Sequence, residues 1–144
     1  MIINGTHVDP SVFLKVGETF GGFRQKQQVD KALDFFFNNI EVWSHFFRLS
    51  MFLKNNQKRK KMGAQMVMER LRWDLVFELK KPELEHKLNN NYTPFYSRVF
   101  NAYLRNKNQE PFYDERTSMF DPLDLRYKFW DYLKQFDPVY WDVE

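Results

Sequence analysis

From Val29 onward the apolar positions recur at helical spacing. Asp30 is placed to cap a short helix carrying Leu33, Phe36 and Phe37, and Asn38 and Asn39 interrupt it, since Asn favours caps and turns. A second helix is predicted over residues 40–54. Its Trp43, Phe46, Phe47, Ser50 and Met51 fall at i, i+3, i+4, i+7 and i+8, the pattern of a buried stripe. A polar turn over residues 55–63 leads to a long helix over residues 64–80. Here Ala64, Val67, Met68, Leu71, Leu75 and Leu79 mark one apolar face, and Met66, Trp73 and Phe77 mark another. A helix apolar on two faces is expected at the centre of its domain, and Pro82 stands where a helix stop is expected.

Residues 83–91 read as a connector with room for a small hairpin. Thr93 followed by Pro94 is a start signal, a capping residue and then a proline in the first turn. The helix it opens, to about residue 106, turns Phe95, Val99, Phe100 and Tyr103 inward. Asp121 and Pro122 repeat the signal for a last helix to about residue 136 that carries Leu123, Phe129, Trp130, Leu133 and Phe136. Pro138 ends it. Residues 1–28 hold Pro10 and four of the five glycines, and are expected to form a flexible arm with at most a short strand. The predicted fold is mainly α: a compact bundle of four to five helices over residues 29–136, with a helix-turn-helix-like portion and at most one small β-hairpin. An acidic, aromatic tail over residues 137–144 follows it.

Composition sharpens this picture in three ways. A chain of 144 residues is long enough to bury one core. Sixteen Phe, seven Tyr and four Trp mean that rings supply much of what Leu and Val usually supply. The absence of cysteine removes disulfides, thiolate nucleophiles and cysteine-ligated metals, and fits a cytoplasmic setting. No apolar run is long enough to span a membrane, and no basic-then-apolar leader opens the sequence, so neither a membrane partner nor export is expected. The net charge of +3 is unevenly spread: residues 1–107 carry +8 and residues 108–144 carry −5. A basic body suits an anionic partner, unless the acidic end folds back and neutralises it.

Three segments are distinctive: Glu69-Arg70-Leu71-Arg72-Trp73, then the run from Leu88 to Arg98 (LNNNYTPFYSR), then the run from Pro111 to Arg116 (PFYDER). In that order, over residues 40–118, they resemble an uncharacterised family of small phage and prophage proteins. Its pattern is a helix ending near Arg-Trp, an Asn-rich turn, a helix with Tyr-x-Arg and an aromatic close with Arg. The resemblance implies a phage or prophage setting in a bacterial host cell and little chemistry. On their own terms, Asn89, Asn90 and Asn91 suit tight turns, Arg72 and Arg116 suit ties to carboxylates, and Trp73 suits the core.

No catalytic set is visible. His7, His45 and His86 are scattered without metal-site spacing, and His45 on its aromatic helix is expected to be packed. Asp74 and Glu78 at i, i+4 form a pair more often bound to arginine or water than to a metal. Neither a cofactor nor a metal is expected, and the chain reads as a non-enzymatic binding protein. Two partners compete, with DNA the leading expectation and a protein the alternative. DNA is favoured by a basic turn, Lys58, Arg59, Lys60 and Lys61, suited to phosphates. It is favoured also by a polar stripe of Ser97, Asn101 and Arg105 at i, i+4 and i+8 with Arg98 beside it, residue types that read adenine and guanine edges. A bacterial host or phage protein, inhibited or modulated by docking, is favoured by the aromatic surplus and by Asp137, Tyr140, Trp141 and Asp142 of the tail.

Overall fold

The computed structural model describes residues 1–56 and 63–136. A two-residue antiparallel hairpin, β1 (Ile2–Ile3) and β2 (Thr6–His7), leads through a 3₁₀ turn (Pro10–Phe13) to α1 (Phe23–Asn38). There follow α2 (Ile40–Asn56), α3 (Ala64–Phe77), α4 (Pro82–Lys87), a 3₁₀ turn (Asn90–Tyr92), α5 (Thr93–Asn106) and α6 (Tyr127–Leu133). The fold is thus the mainly α bundle with one small hairpin that the periodicity predicts. Among the described residues, no helix is long and apolar enough to cross a membrane.

The rings form one continuous core. Phe36 packs on Phe37, Trp43, Phe95, Tyr96 and Phe129, with centroids 5.2–5.5 Å apart. Trp43, Phe47, Leu71, Leu75, Val99 and Trp130 are all buried. Ser50 lies in the apolar stripe of α2 because its hydroxyl meets that of Tyr113 at 2.6 Å, also buried.

Several boundaries and placements differ from the sequence reading. Residues 1–28 are not an arm: Ile3, Val8 and Phe13 are buried in the core. Asn38 Nδ2 donates to Ile2 O at 2.6 Å, and residues 13–15 pair with residues 122–124 through Asp124 N to Phe13 O at 2.6 Å and Lys15 N to Pro122 O at 2.8 Å. Helix α1 begins at Phe23, well before its first buried residue, Val29, because residues 23–28 are mostly good helix formers preceded by Gly22 at φ 108°. Asp121 does not start the last helix. Its carboxylate accepts from Ser118 N and Arg98, and the backbone after it is taken by the N-terminal segment, so α6 opens only at Tyr127. The hairpin belongs to residues 2–7, while the 83–91 connector holds α4 and a 3₁₀ turn.

The central helix is α5. Ten of its fourteen residues are buried, against five of fourteen for α3, whose second apolar face points to solvent.

Candidate protein-docking face

The polar residues of α5 look inward. Ser97, Arg98 and Asn101 are buried, which corrects the expectation of a solvent-facing stripe. Ser97 Oγ donates to Pro94 O at 3.0 Å. Arg98 holds Asp121 with Nη2 at 3.0 Å, donates from Nη1 to Pro94 O at 3.1 Å, and also donates to Arg116 O. Asn101 accepts from Phe112 N and Tyr113 N, both at 3.0 Å, and donates to Tyr113 O and Glu115 Oε2. Arg105, half exposed, pairs with Glu115 at 2.5 Å. Carboxylates of the acidic C-terminal portion therefore fold back on the basic helix; Arg98, Asn101 and Arg105 tie the 111–121 segment down, while Ser97 bonds within α5. Lys58, Arg59, Lys60 and Lys61 lie outside the described residues, as do Asp137, Tyr140, Trp141 and Asp142.

The motif residues around the Asn-rich turn have similar work. Asn89 Oδ1 accepts from Asn91 N at 2.8 Å, and Arg72 donates to Asn90 Oδ1 at 2.5 Å while lying 3.6 Å from Glu85. Among the described residues, the left-handed turns at non-glycine residues occur elsewhere, at Asn4, Lys80 and Asn108.

Between α2 and α3 runs a row of paired polar groups. Arg48 Nη2 meets His45 Nδ1 at 3.3 Å, His45 Nε2 meets Asp74 Oδ2 at 2.7 Å, and Arg70 Nε donates to Asp74 Oδ1 at 3.0 Å. With Nδ1 facing a guanidinium, which can only donate, the proton of a neutral His45 ring sits on Nε2 and points at Asp74. Burial alone would raise the pKa of Asp74, but the hydrogen bonds from His45 and Arg70 outweigh it and hold the carboxyl below its ordinary value. The carboxylate that paired with Glu78 in the sequence reading is thus committed to His45 and Arg70.

Outside this row lies an apolar face. Phe52 is 65%, Met66 59%, Trp73 59% and Phe77 57% exposed. These are four of the eight large hydrophobics that are exposed among the described residues. Met66, Arg70, Trp73 and Phe77 stand at i, i+4, i+7 and i+11, which confines them to about 60° of the helix circumference and about 16 Å of its length. Trp73 and Phe77 touch, with ring centroids 4.3 Å apart. At the other end, Leu49, Phe52, Leu53, Met66, Val67 and Arg70 line an apolar groove. His45 of early α2 meets Asp74 of late α3, and Phe52 of late α2 shares the groove with Met66 of early α3. The two helices therefore run in opposite directions and present one joint surface.

Apolar periodicity marks Met66, Trp73 and Phe77 as a second stripe and predicts them in the core, but by itself it gives no sign of Phe52 beside them or of Arg70 within the stripe. The signal was present in the 4-3-4 spacing with a charge inside it, because a buried stripe seldom carries an arginine. Comparison of the chain with protein-family models, with curated proteins and with solved structures gives no match in any of the three.

Proposed function

We propose that the chain is a non-enzymatic binding protein that docks on a protein partner through the joint face of α2 and α3. The supporting observation is the exposed stripe of Met66, Arg70, Trp73 and Phe77 with Phe52 beside its groove. Soluble monomers rarely expose apolar patches beyond a few hundred Å², and larger ones mark interaction sites. Trp, Tyr and Arg are the side chains that carry most binding energy at interfaces, and here a Trp and an Arg are adjacent on one stripe. A groove flanked by such a stripe suits an apolar helix laid across it. The phage or prophage setting is part of the proposal and rests on the sequence resemblance alone.

Trp73→Glu combined with Phe77→Glu tests the reading. Both side chains are exposed, so the far-UV spectrum, and the melting temperature at a concentration that dissociates any assembly, should stay close to those of the parent chain. Protein partners recovered by affinity capture should be lost, and nuclease treatment should leave the parent chain's partners in place. Capture that nuclease abolishes and the double substitution spares would instead favour a nucleic-acid partner held by the basic residues 58–61.

A further inference from the structure

We infer that the occupant of this face is a second copy of the chain, with the two α3 helices antiparallel about a two-fold axis passing between Arg70 and Trp73. The inference rests on the docking reading and names its partner. The 4-3-4 spacing of Met66, Arg70, Trp73 and Phe77 reads the same in both directions. A two-fold axis at its midpoint therefore lays the stripe on itself, as an isologous interface requires. Met66 then faces the partner's Phe77, a sulfur–aromatic contact. Arg70 faces the partner's Trp73, a cation against the ring type that binds cations best.

Five further observations favour this pairing. The spacing alternates four and three residues, the repeat by which two helices pack knobs into holes along a narrow seam. The hole is present: the groove of Leu49, Phe52, Leu53, Met66, Val67 and Arg70 lies beside Met66, where the axis delivers the partner's Phe77. Charge favours the antiparallel pairing, which sets each Arg70 against a ring, over the parallel one, which sets Arg70 directly on the partner's Arg70. Asp74 fixes Arg70 through Nε at 3.0 Å while the guanidinium stays exposed, so the cation is held in place before association and little side-chain freedom is lost. The area is also of the right order. Three aromatics of roughly 150–250 Å² each and a Met, all more than half exposed, offer on the order of 500 Å² per copy. Arg48, Leu49, Leu53 and Arg70 around them bring this toward the roughly 800 Å² per partner of a standard interface.

The chain has no cysteine, so single introduced cysteines report the register. Chains carrying Met66→Cys, mixed with chains carrying Phe77→Cys, should form a mixed disulfide on mild oxidation. Met66→Cys alone should not link to itself, because antiparallel helices hold the two copies of that position far beyond the roughly 7 Å Cα separation a disulfide tolerates. In sedimentation equilibrium the parent chain should show twice the monomer mass, and Phe77→Glu and Trp73→Glu should each weaken the dimer at least about tenfold with an unchanged far-UV spectrum. A parent chain that is monomeric at about 100 μM overturns the inference. So does a dimer in which Met66→Cys links to itself, or one that Phe77→Glu leaves intact. A photo-crosslinking residue at position 52, used in cells, separates this failure from failure of the docking reading. An adduct with a different protein refutes self-pairing and keeps the face as a docking site, whereas no adduct at all refutes both.

Discussion

Asn101 uses its whole hydrogen-bonding capacity inside the protein: two backbone N–H groups on its carbonyl oxygen, and a carbonyl and a carboxylate on its amide. Removing that side chain strands the buried N–H groups of Phe112 and Tyr113. Asn101→Ala should therefore lower unfolding stability by on the order of 3 kcal/mol in a denaturant titration, since each stranded group costs about 1–3 kcal/mol. A loss below about 0.5 kcal/mol, the range of an ordinary surface change, would contradict the inward placement. Asp74 makes a different prediction, one of pH. Its folded pKa lies below the ordinary aspartate value of 3.8 because the bonds from His45 and Arg70 outweigh burial. The unfolded chain therefore takes up the proton first, so Asp74 stabilises the fold above that value and the contribution disappears as pH falls through the lower, folded one. The stability difference between the parent chain and Asp74→Asn should be constant near neutrality and shrink below about pH 4. A gap that stays constant down to about pH 2 would show that the carboxylate is not held as described.

At the scale of the element, α3 separates two kinds of apolar residue on one helix. Leu71 and Leu75 are fully buried, and truncating either to Ala should cost about 2–5 kcal/mol through lost transfer energy and the cavity left behind. Trp73, between them in sequence, is 59% exposed. Trp73→Ala should change monomer stability by less than about 1 kcal/mol, although Trp is the largest side chain removed. Chemical denaturation must be run at a concentration low enough to dissociate any assembly, because stability shared with a partner rises with concentration. Comparable losses at Leu75 and Trp73 would mean that α3 is buried on both faces, and the docking surface would vanish with it. Helix α5 is the reverse case: Arg98 and Asn101 are interior because groups on the 111–121 segment match them, and Ser97 because Pro94 O does.

For the molecule as a whole, the first thirteen residues are structural. Ile3, Val8 and Phe13 close one end of the core, and Phe13 stacks on Phe37 at 6.1 Å and meets Phe129 edge-on at 5.9 Å. Each fully buried side chain of this kind contributes roughly 1.5–3 kcal/mol. Deleting residues 1–13 should therefore remove most of a typical domain's stability and abolish the cooperative thermal transition in calorimetry. A truncated chain that melts as sharply as the parent would return the segment to the status of an arm. The charge distribution is also resolved at this scale. Two of the cations that make residues 1–107 basic, Arg98 and Arg105, are taken up by Asp121 and Glu115 of the acidic portion.

The sequence by itself determined where α2, α3 and α5 lie and much of the core they share. Spacing of apolar side chains at 3.6 residues per turn, broken by Asn, Gly and Pro, is a local property. It located α2 and α5 closely, the start of α3, and all of Trp43, Phe47, Leu71, Leu75, Val99 and Trp130 in the interior. What the tertiary structure decided is which helix stands at the centre and what each polar residue faces. An apolar stripe states only that a face avoids water, and a polar stripe only that it needs hydrogen bonds. Met66, Trp73 and Phe77 remained outside because α5 already filled the centre, and Ser97, Arg98 and Asn101 went inside because Pro94, Arg116, Asp121, Tyr113 and Glu115 were there to meet them. All of those partners but Pro94 lie 12 to 23 residues away along the chain, and no periodicity within one helix records them.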